Sequence, residues 1–111
     1  MSEQSLSPAA AAGPQTAPAE ALAALVTSCP GVASLSGGNL GEVATYLPGR
    51  RIRGIRLEGS TVEVHVVALW GTPLPPMADQ VRAVCQPFAR GRPIDVYVDD
   101  LDVPPLLVPR G

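Results

Sequence analysis

Apolar and polar residues alternate from Arg53 to Trp70, and only Gly59-Ser60 interrupts them. A Gly-X pair between two such runs predicts a β-hairpin closed by a two-residue type II′ turn. That turn sets Leu57 opposite Val62 and Ile55 opposite Val64 on one face. On the other face it sets Arg56 opposite Glu63 and Glu58 opposite Thr61. A one-residue slip would bury Arg56 and Glu63 and expose the valines, so the pattern specifies its own register. The inward row continues through Val66, Ala68 and Trp70. Val67 and Leu69 make the outward side apolar as well, which predicts a central strand or an oligomer contact.

The remaining elements follow from the same reading. Ala19–Cys29 carries Leu22, Leu25, Val26 and Cys29 at helical spacing behind Pro18, and Pro30-Gly31 ends it. Val32–Ser36 predicts a strand, broken by the glycines of GGNLG at 37–41. Glu42–Leu47 predicts another, followed by Pro48-Gly49 as the centre of a type II turn. Prolines 73, 75 and 76 stop the sheet and pre-set a helix over Met77–Gln86, with Met77, Val81, Val84 and Cys85 inward; Pro87 should end or kink it. Ile94–Val98 alternates again, and a strand–helix–strand crossover makes it parallel to Thr61–Trp70. The expected fold is α+β: a two-layer sandwich, a mostly antiparallel sheet with two helices on one face, in the order α-β-β-β-β-α-β.

A chain of 111 residues allows one domain. Residues 1–17 are Ala-, Ser-, Pro- and Gln-rich and read as a disordered tail, and 104–111 as a flexible one. This leaves residues 18–103 as the folding unit. The net charge of −2 argues against non-specific nucleic-acid binding. All eight cations are arginine, which fits a high-GC genome. Cys29 and Cys85 share no ligand spacing and read as small buried side chains. No secretory leader or membrane span is evident, so a soluble protein is expected.

Candidate chemistry is sparse. Arg50, Arg51, Arg53 and Arg56 place four positive charges within seven residues. They are either a solvated edge or a docking surface for an acidic segment, anionic headgroups or phosphate. Asp95, Asp99, Asp100 and Asp102 mirror them, as solvated acids or as partners for the arginines. His65, outward and opposite Gly54, lacks a second ligand nearby in sequence and reads as a half-buried polar residue. Patterns for hydrolases, kinases and dinucleotide enzymes are absent, so no catalytic, cofactor or metal residue is assigned.

Four segments carry a family resemblance: CPGV at 29–32, the GG-x-x-GEVATYLPGRR run at 37–51, GIRL…VEVHVVALWGTPLP at 54–75, and PIDVYVDDL at 93–101. Together they resemble the alkaline shock protein family, the envelope stress response proteins of Gram-positive bacteria, in a compact actinobacterial form. The resemblance implies a cytoplasmic, non-enzymatic protein without a cofactor. It also implies self-association and recruitment to the inner face of the membrane through a membrane-anchored partner, in the service of envelope homeostasis. The rival reading is a small α+β RNA-binding domain using the Arg50–Arg56 turn; an enzyme with an unrecognised site is a third.

Overall fold

The computed structural model describes residues 17–38 and 43–105. Its elements are α1 (Pro18–Thr27), β1 (Val32–Leu35), β2 (Ala44–Leu47), β3 (Arg50–Arg53), β4 (Ile55–Arg56), β5 (Val62–Leu69), α2 (Leu74–Ala89) and β6 (Ile94–Asp102). β5 is the axis of the main sheet. β6 runs parallel along one side of it, while β1 and β4 lie antiparallel along the other, one after the next. β2 and β3 form a separate antiparallel ribbon around Pro48-Gly49, where Gly49 takes the positive φ of 79° that this turn needs.

The fold is α+β, as the alternation and helical spacing require. Val62, Val64, Val66 and Ala68 project from one face of β5 and are fully buried. They meet Leu22 and Val26 of α1 and Met77, Val81 and Cys85 of α2 in a single core, so both helices cover the same face. Burying each such valine is worth on the order of 1.5–3 kcal/mol, which fixes the register. The pairs Ile55↔Val64 and Arg56↔Glu63 are those the alternation specifies.

Several expectations are corrected. The strand expected over Arg53–Glu58 is shortened to β4, and an additional strand not expected from the sequence, β3, precedes it, the two separated at Gly54 with φ 88°. The order therefore gains a strand, α-β-β-β-β-β-α-β. The hairpin ladder also stops at Arg56–Glu63. The Leu57 N–H donates instead to the Thr45 hydroxyl (3.2 Å), whose own proton goes to the Ile55 carbonyl at 2.6 Å. Trp70 is not core but half exposed, because the Thr72 N–H closes a turn on the Leu69 carbonyl (3.1 Å) and ends β5 one residue earlier. Leu25 lies at the exposed margin of α1, and Ala19 takes its place inward. α2 begins at Leu74 and continues through Pro87 to Ala89. The bond that Pro87 cannot make belongs to the carbonyl of exposed Ala83, which water can reach. The tails at 1–16 and 106–111, and Asn39–Glu42, lie outside the described residues.

One side chain missed in the sequence holds the hairpin to the helix layer. Arg92 donates to the Ala89 carbonyl (2.8 Å) and the Phe88 carbonyl (3.2 Å), closing the last turn of α2. The same guanidinium donates to the carbonyls of Leu57 and Gly59, the latter at 3.2 Å. A planar fork with five donors suits this two-sided grip.

Candidate functional site

The other face of the sheet carries no helix, and Gly38 covers it only at its His65 end. On β5 it carries Glu63, His65, Val67 and Leu69; their neighbours on β6 are Asp95, Tyr97, Asp100 and Asp102. A bulge between Val66 and Val67 leaves Asp99 as the extra residue of β6. Bulges re-aim side chains, and this one sends Asp99 and Asp100 to the open side in succession.

Asp99 is therefore not a solvated acid. Its Oδ2 lies 2.9 Å from His65 Nδ1 and accepts the Ser36 hydroxyl at 2.9 Å, with the side chain largely covered. A carboxylate only accepts, so the imidazole proton facing it sits on Nδ1. The Ser36 oxygen in turn accepts the Gly38 N–H at 3.1 Å. Tyr97 stacks on the His65 ring, centroids 4.3 Å apart and planes at 12°. Gly38 lies over the same ring: a Cβ there would meet His65 Cε1 at 3.7 Å and Val43 Cγ2 at 3.1 Å. His65 Nε2 stands 3.5 Å from Glu63, which accepts from Arg56 at 3.2 Å. The carboxylate next to His65 was invisible in the sequence, since it arrives from a strand that follows α2.

Ser, His and Asp are the residue types of a nucleophilic triad, but their order is different. The hydroxyl bonds the carboxylate, not the imidazole, so no base activates it. Among the described residues no group of three His, Cys, Asp or Glu side chains is arranged to hold a metal ion. The two thiols lie inside the core; burial pushes both up, Cys85 to about 11 with neighbouring Cys29 adding to it. Neither is a thiolate near neutrality.

The four arginines are separated by the structure. Arg50 pairs with Glu20 of α1 at 2.5 Å, so that side of the ribbon faces the helix. Arg56 belongs to the main sheet and pairs with Glu63. Arg51 and Arg53 alternate with Arg50 and point away from α1, together with Tyr46, the cross-strand neighbour of Arg51. All three are exposed, and neither arginine has an ion-pair partner among the described residues. Asp95, Asp100 and Asp102 are exposed on β6. The ribbon packs along the outer edge of β4 through Thr45 and the Gly54–Val43 backbone bond (2.8 Å). β6 is the opposite edge of the main sheet. Basic and acidic groups thus occupy opposite margins.

No family model, no curated protein and no solved structure matches this chain. Among the described residues no helix is long and apolar enough to cross a membrane.

Proposed function

We propose that this protein is a non-enzymatic interaction module of the alkaline shock type, acting in envelope homeostasis by self-association and by docking to a membrane-linked partner from the cytoplasmic side. The observation that carries the reading is the division of charge: Arg51 and Arg53 on one margin, Asp95, Asp100 and Asp102 on the other, all exposed. Groups that could do chemistry are engaged with one another: Ser36 and His65 with Asp99, and Glu63 with Arg56. Complementary charges steer encounter and fix register. Sedimentation velocity over a concentration series, at low and moderate salt, tests it. Salt-sensitive association supports the reading, and a monomer throughout refutes self-association.

Tyr46, beside Arg51, favours one second reading, a single-stranded RNA contact in which a base stacks on the ring. Fluorescence anisotropy with a generic RNA, titrated with salt, separates the two: absence of binding at low salt removes it.

A further inference from the structure

We infer that the open face of the sheet is the surface on which a second copy of this chain docks, face to face, about a two-fold axis parallel to the strands. This rests on the self-association proposed above and specifies its geometry.

The face is built for burial. Tyr97, Val67 and Leu69 give it an apolar centre, Tyr97 and Leu69 being 43% and 44% exposed. Polar groups on its floor already have partners: His65 and Ser36 with Asp99, and Glu63 with Arg56. Covering it strands few donors or acceptors, the cost that excludes most polar sheet faces from interfaces. An aromatic centre inside a charged rim is the usual anatomy of a specific contact.

Charge selects the axis. Arg51 and Arg53 stand at one margin, turned away from the helices, and Asp95, Asp100 and Asp102 at the other. Two sheets laid face to face about an axis along the strands exchange their margins, so each basic margin meets the partner's acidic one. The contact is made twice. An axis across the strands would set arginine on arginine. A head-to-tail join of margins makes the charge contact once per interface and leaves Tyr97, Val67 and Leu69 in water. The two-fold arrangement is isologous and closes at two copies.

The test uses the full chain in three forms: the parent, Arg51→Glu with Arg53→Glu, and Asp95→Arg with Asp102→Arg. Sedimentation velocity reads mass. The parent should saturate at a dimer, with a dissociation constant that rises with salt. Each reversed form alone should weaken association at least about tenfold, since like charges then face each other on both margins. Mixed one to one, the two reversed forms should recover a dimer, because acidic and basic margins again meet at both contacts. Leu69→Lys should weaken the dimer at every salt concentration, with unchanged far-UV circular dichroism showing that the fold is kept. Growth beyond two copies that responds to the reversals would overturn the face-to-face geometry in favour of joined margins, leaving self-association intact. A dimer indifferent to salt, to both reversals and to Leu69→Lys would place the interface elsewhere. A parent that stays monomeric would overturn this inference and the self-association beneath it.

Discussion

The Asp99 carboxylate and the Ser36 hydroxyl, 63 residues apart, meet at 2.9 Å over the open side of β5. With His65 on the same carboxylate, they tie three neighbouring strands together. Asp99→Ala strips two largely covered donors of their acceptor and should cost about 1–3 kcal/mol. Urea denaturation reads this directly. A cycle with Ser36→Ala should show a coupling of at least about 0.5 kcal/mol, and strict additivity would mean that the pair contributes nothing.

Gly54 and Gly59 share a positive φ, 88° and 102°, but not their surroundings. At Gly59 nothing lies within 4 Å of an added Cβ, so Gly59→Ala carries backbone strain alone, about 1–3 kcal/mol. At Gly54 the new carbon would sit 2.8 Å from the Ser36 carbonyl oxygen and 2.9 Å from Leu35 Cβ. Gly54→Ala is therefore expected to be the more damaging, with a clearly lower denaturation midpoint; equal midpoints would contradict this geometry.

Arg92 joins the end of α2 to the hairpin loop through four carbonyls. Arg92→Ala should cost about 1–3 kcal/mol and speed amide exchange around Glu58–Thr61. Arg92→Lys should recover little, because an ammonium cannot span both sides as a fork does. Hydrogen-exchange mass spectrometry of the three proteins reports the local effect separately from global stability.

Cys85 gives the fold an alkaline limit. Its folded pKa, pushed up to about 11, lies above that of an unfolded thiol, so the folded state favours the protonated form. The contribution is complete below the unfolded value and is lost as pH rises from about 9 towards 11. Denaturation midpoints should fall across that window. In Cys85→Ala the thiol-linked part of the fall should disappear, even though the cavity lowers stability at every pH.

Much of the fold was legible because burial is periodic. The valines of β5 and the Met77–Val81–Cys85 stripe could occupy no other face without stranding charge in the core. The break at Gly54 was not legible, since a glycine inside an alternating run leaves the period intact while turning the backbone. The bulge at Asp99-Asp100 was hidden for a related reason: two adjacent polar residues look alike whichever one is extra. Trp70 was misplaced by extending the alternation one step past the turn at Leu69–Thr72. Of the site, the arginines and aspartates were visible as charge runs, but their division into engaged and exposed members was not. That division depends on partners such as Glu20 and His65, brought close by tertiary folding alone.

His65 also marks where the chain leaves the sheet and comes back. Its carbonyl accepts the Ser36 N–H at 2.8 Å as β1 departs, and its own N–H donates to the Gly54 carbonyl at 2.9 Å as β4 returns. Departure and return thus fall on a single residue of β5. Everything between them, the arginine-bearing ribbon included, is an excursion whose two ends the sheet already holds together. Closing such a loop costs little more when it is lengthened and little less when it is cut short. Natural or engineered variants that keep Val43 and Thr45, which hold Gly54, Ile55 and Leu57, can therefore change the tip of the ribbon around Pro48-Gly49 and what that margin recognises, while the sheet and its core remain as they are.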